Sequence, residues 1–110
     1  MRPQVVTVSA LQISSPIPVN WREKDFALGL QVGLSAGSSL TYSVQFTNDD
    51  PENFTDPTDF NTNATWQDFP DLSGLTASDF AGYEFPVRAV RLNVTSYTSG
   101  SATLTALQAT

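Results

Sequence analysis

The stretch FALGLQVGLS, residues 26–35, alternates without a break. Phe26, Leu28, Leu30, Val32 and Leu34 fall on one side, and Ala27, Gly29, Gln31, Gly33 and Ser35 on the other. Successive side chains of an extended chain point to opposite faces, so this pattern predicts a strand with one buried face and is incompatible with a helix. TYSVQFT repeats it, with Tyr42, Val44 and Phe46 inward and Thr41, Ser43, Gln45 and Thr47 outward. VRAVRLNVTS sets Val90, Leu92 and Val94 against Arg91, Asn93 and Thr95. The turn residues of AGSS and YTSG predict that each of these neighbouring pairs closes as an antiparallel hairpin, the second with SATLTALQ as its returning strand. VVTVSAL groups Val6, Val8 and Ala10 and predicts an opening strand beside the C-terminal one. SSPIPVNW contains Pro16 and Pro18, which remove ladder donors and suit an edge strand or an extended arm. Shorter strands are expected around ATWQDF and YEFPV. No helical periodicity longer than a turn, no repeat and no heptad is visible. The fold class is therefore all-β: one antiparallel β-sandwich of six to eight strands, for which jelly-roll connections are one arrangement.

A chain of 110 residues with 40% apolar content supports one core, so residues 1–110 read as a single domain, with 1–4 as an arm and 47–64 as a long acidic loop. Eleven acids against five bases give a net charge of -6, which repels phosphate backbones and anionic lipid; neither nucleic acid nor membrane is an expected partner. No run approaches the roughly 18 apolar residues of a membrane helix, and the opening MRPQVVTVSALQI lacks the apolar run of a secretion signal. Cysteine and histidine are both absent, which removes disulfides, thiolate metal sites and the usual nucleophile–base relays. The remaining catalytic options, the carboxylates Glu23 and Asp25 or a serine with Lys24, sit in a run of charges better read as a solvated turn. Catalysis and a bound cofactor are not expected.

The segment FTNDDPENFTDPTDFNTNATWQDFPDL, residues 46–72, holds seven acids and no base. Asp59, Asn61 and Asn63 match the first three ligand positions of a calcium loop, but Ala64 stands at the glycine position and Pro70 at the bidentate glutamate position, so no metal site is expected. Pro51, Pro57 and Pro70 favour a surface connection, and a connection of this length usually has a contact to make. Trp21, Trp66, Tyr42, Tyr83 and Tyr97 offer rings on which a sugar could stack, although a small sandwich needs such rings for its core. Arg88 and Arg91 are expected to form ion pairs with the surrounding acids.

Taken together, PIPVNWREKDFALGLQVGLSAGSSLTYSVQFTNDDP, the later Trp66 and the ending FPVRAVRLNVTSYTSGSATLTALQ resemble small virion structural proteins of tailed bacteriophages and prophages. The resemblance spans nearly the whole chain, carries no catalytic residue, and implies an architectural role. That role is a capsid cement or decoration protein bound to the major capsid protein, or a component at another virion position such as the head-to-tail joint, the tail or a head fibre. It further implies assembly in the bacterial cytoplasm, a final place in the virion, and a closed homo-oligomer, with a trimer preferred. The segments expected to make contacts are the arm, the proline-rich stretch and the acidic loop, which nominates Arg2, Pro16, Pro18, Trp21, Arg22, Asp49, Asp50 and Phe54. Contact with a surface glycan is the alternative from a different class.

Overall fold

The computed structural model describes residues 3–19, 26–84 and 86–108. Arg2, Trp21 and Arg22 lie outside them, as do Glu23, Lys24 and Asp25. Eight strands form: β1 (Gln4–Val8), β2 (Ile17–Pro18), β3 (Leu28–Leu34), β4 (Ser39–Thr47), β5 (Gln67–Asp68), β6 (Asp79–Tyr83), β7 (Ala89–Ser99) and β8 (Ala102–Gln108). They make two four-stranded antiparallel sheets, in the orders β1-β8-β3-β6 and β2-β7-β4-β5.

The pairings β1·β8, β2·β7, β3·β6 and β4·β5 are nested, as though one long hairpin had been rolled up so that successive strands fall in alternate sheets. That is the jelly-roll arrangement. It corrects both hairpins expected from the sequence: β3 and β4 lie in different sheets, and so do β7 and β8. Alternation specifies which face of a strand is buried, and a hairpin and a crossover bury the same residues, so the turn signals at 36–39 and 97–100 could not separate them. Both crossovers meet at one end of the sandwich, where the Ser35 amide donates to the Ser101 carbonyl at 3.0 Å. Gly100 adopts φ 93° there, packed against Ser38.

The inward faces are as the alternation predicts. Phe26, Leu28, Leu30 and Val32 from one sheet meet Tyr42, Val44, Val90, Leu92 and Val94 from the other, all buried, and Val8, Leu104 and Ala106 complete the interior. β1 lies beside β8 as expected. β2, with Pro18, lies at an edge, and both edge strands of its sheet are only two residues long, which leaves little ladder exposed to unwanted pairing. The strand expected around YEFPV lies earlier, ending at Tyr83, and Val87 serves the core from outside any strand.

The acidic segment departs most from expectation. It forms a 3₁₀ turn at Pro51–Asn53 and a helix, α1 (Pro57–Asn63), where a loop was predicted. The local chemistry explains both. Asp56 caps α1 by accepting from the Asp59 amide at 2.8 Å, and Pro57 occupies the first helical position, where its missing N–H costs nothing. Asp59 in turn accepts from the Thr55 amide at 2.9 Å and from Asn63 Nδ2 at 2.6 Å. Asp50 caps the 3₁₀ turn in the same manner.

A proline-walled groove over a second, smaller core

Thr47 of β4 and Ala89 and Arg91 of β7, outward by alternation, are not left to solvent, because the segment between β4 and β5 folds back over them. Phe60, on the inner side of α1, packs with Ala64 and Ala89, and Phe54 and Trp66 close around them. The Phe60 ring lies 5.5 Å from that of Phe54, edge-on, and 5.7 Å from that of Trp66. Thr47, which alternation placed outward, is 1% exposed as a result.

Arg91 holds this second core to the sheet. Its guanidinium stands 4.1 Å from the centre of the Trp66 ring, donates from Nε to Gln45 Oε1 across the β4–β7 pair at 2.8 Å, and donates from one terminal nitrogen to both the carbonyl and Oδ1 of Asn61 in α1. Asn61 Nδ2 in turn donates to the Ser14 carbonyl at 3.2 Å, tying in the segment that leads into β2. The ion pair expected of Arg91 is therefore replaced by neutral acceptors and a ring; the residue is buried, and that burial pulls its guanidinium below the ordinary arginine value. Fork-shaped, weakly hydrated guanidinium is suited to this role where an ammonium is not. Trp66 Nε1 is buried without a hydrogen-bond partner, so the indole serves here as a ring and not as a donor.

Above this core a groove of about 410 Å³ opens. It is lined by Pro16 and Pro18 from one segment, by Pro51, Phe54, Asp56, Pro57 and Phe60 from the other, and by Ala89 of β7. Arg88 stands at the rim, where it pairs with Asp50 at 3.1 Å, the ion pair expected for this arginine. Of the residues nominated from the sequence, the structure brings Pro16, Pro18 and Phe54 into the groove, and Asp50 to its rim through Arg88. Asp49 sits at the base of the segment, accepting from the Thr65 amide at 2.6 Å, and has a structural task. Phe60, Pro51, Pro57 and Ala89 were missed. The signal that could have found Phe60 was the sequence DPTDF, a capped helix start that places a ring on the inner side of the first turn.

Among the described residues, the rings considered as sugar platforms have other commitments; Trp21 lies outside them. Tyr42 is fully buried with its hydroxyl donating to the Ala77 carbonyl at 2.7 Å, and burial, with the charge of Asp79 behind it, pushes its pKa up to about 12. Tyr83 stacks on the buried Phe69 at 4.3 Å, and Tyr97 donates to the Gly100 carbonyl. Asp59, Asn61 and Asn63, weighed as calcium ligands, are helical, and no cluster of three or more acidic side chains suited to a metal occurs among the described residues. Comparison with protein-family models, with curated proteins and with solved structures returned no match.

Proposed function

We propose that this chain is an architectural protein of a tailed-phage virion, a capsid cement or decoration protein that docks on the major capsid protein through the proline-walled groove. The observation that carries the reading is convergence: two segments about 35 residues apart in sequence, 16–18 and 51–60, meet in one largely apolar channel with the Arg88–Asp50 ion pair at its rim. Rigid proline walls suit an extended segment of a partner, because the groove loses little conformational freedom on binding and apolar contact supplies the affinity. The jelly roll itself is compatible with shell proteins and with sugar-binding proteins alike, so the fold alone does not choose between them. The placement of Tyr42, Trp66, Tyr83 and Tyr97 in packing contacts favours docking over sugar stacking.

The test is to mix the purified chain with tailed-phage shells that lack their small surface protein and to image the particles. Regular decoration at fixed sites on the shell is the expected result. Bare shells, with the chain retained instead on tail or head-to-tail assemblies, would move it to another virion position; retention on neither would refute the architectural reading.

A further inference from the structure

The outer face of the β1-β8-β3-β6 sheet is the opposite side of the molecule from the groove, and it carries a feature that the fold does not require. Gly29 and Gly82 lie side by side in β3 and β6, and Gly33 lies further along β3. None of the three has positive φ, and a Cβ would meet nothing closer than a carbonyl oxygen at 3.6 Å for Gly29, one at 3.9 Å for Gly82, and open space for Gly33. Glycine is the costly choice in a strand interior, and with no turn, bulge or internal clash to explain it, the remaining reason is the close approach of another molecule. The same face exposes three large apolar side chains: Phe80 is 78% exposed, Val5 57% and Leu107 49%.

We propose that this face is a two-fold contact with a second copy of the chain. The register gives the face two adjacent outward rows. One runs Val5, Thr105, Gln31, Phe80 across the four strands, and the next runs from Leu107 to Gly29 and Gly82, with Pro3 beside Leu107. A two-fold axis lying across the strands between these rows places Phe80 over Gly82 of the second copy and Gln31 over its Gly29. On β3 and β6 a larger side chain then meets a glycine in both directions, which is the self-complementarity an isologous contact demands, while on β1 and β8 Val5 faces Pro3 and Leu107 faces Thr105. Charge agrees. In a chain of net charge -6, neither row contains a charged side chain. Glu84, at the margin of the trough, falls opposite Ser78 under the same operation, so like charges do not meet. Seven positions of β3 by four strands give a face of at most about 23 by 19 Å, or about 870 Å² buried by the pair, which is below the roughly 1,000 Å² of a stable specific contact and in the range of a weak, transient one. The dimer is accordingly weak and concentration-dependent. It is independent of the capsid reading, and its two-fold closure is distinct from the trimer implied by the resemblance.

Sedimentation equilibrium of the full chain from low micromolar to about millimolar concentration tests the proposal. The expected result is a reversible dimer with a micromolar dissociation constant, weakened at least about tenfold by Phe80→Ser, which removes the projecting ring, and equally by Gly82→Thr, which fills the trough. Both positions are exposed, and threonine suits a strand better than glycine, so circular dichroism of each variant is expected to match the parent, with Gly82→Thr melting no lower. A parent chain that stays monomeric at millimolar concentration, or a dimer that persists unchanged in either variant, overturns it.

Discussion

Replacing Arg91 tests whether the acidic segment is a built part of the structure or a loop resting on the sheet. The side chain makes three hydrogen bonds, one to Gln45 in β4 and two to Asn61 in α1, and covers Trp66 at 4.1 Å. A net hydrogen bond from a charged donor contributes about 1.5 kcal/mol or more, and a desolvated cation over an indole up to about 2 kcal/mol. Against these stands the cost of burying a guanidinium that has no carboxylate beside it among the described residues, several kcal/mol before compensation. The balance puts Arg91→Ala at about 3–4 kcal/mol of destabilisation, and Arg91→Met, which keeps the packing of the stem, at about 2 kcal/mol. Urea unfolding should be followed by far-UV circular dichroism and by tryptophan fluorescence in a Trp21→Phe background, so that Trp66 alone reports. In the parent the two transitions should coincide; in Arg91→Ala the Trp66 signal should be lost at lower urea than the sheet signal, since α1 detaches first. A change below about 0.5 kcal/mol in Arg91→Ala, or coincident transitions in that variant, would refute the reasoning.

Other expectations follow from the same geometry. Leu30→Ala and Val44→Ala, both at fully enclosed positions, should each cost about 2–4 kcal/mol in chemical denaturation through lost burial and a residual cavity, and a loss under about 0.5 kcal/mol would mean the inward face is misassigned. Gly100→Ala should destabilise by about 2–3 kcal/mol, because the added Cβ would stand 2.6 Å from the Ser38 Cβ in a left-handed conformation; Gly37→Ala, at φ 75° with open space, should cost about 1 kcal/mol. Equal melting temperatures for the two would argue against the packed crossover. Tyr42 holds its proton more tightly in the folded chain, about 12 against the ordinary 10.0, so its contribution is complete below pH 10 and is lost as pH rises from 10 to 12. Stability should fall by on the order of 2 kcal/mol across that window, and Tyr42→Phe should flatten the pH profile there.

The sheet faces were legible in the sequence because period-two alternation is a direct consequence of which side of a strand meets water, and Leu28, Leu30, Val44 and Leu92 obey it without exception. Strand partners were not legible. A crossover between sheets and a hairpin within one bury the same side chains, and only the nesting of all eight strands distinguishes them. α1 escaped notice because its seven residues bury a single large side chain, Phe60, so it has no periodicity to display; its caps, Asp56 and Pro57, were the only local trace. Arg91 was misread as an ion-pairing residue since charge balance predicts a carboxylate, whereas the acceptors come from Gln45 and Asn61, brought in by the fold. The groove was half legible: Pro16, Pro18 and Phe54 stood out as contact candidates and Pro51 and Pro57 only as marks of a surface connection, and their convergence is a product of β2 lying at the sheet edge beside the helix.

The central claim is that the groove between 16–18 and 51–60 is the docking surface. Hydrogen–deuterium exchange of the chain free and bound to shells measures this directly. Slowed exchange confined to amides around Ile17 and from Asn53 to Phe60 on binding is the result the account predicts. Binding that leaves those amides exchanging at their free rate, with protection elsewhere, would contradict it.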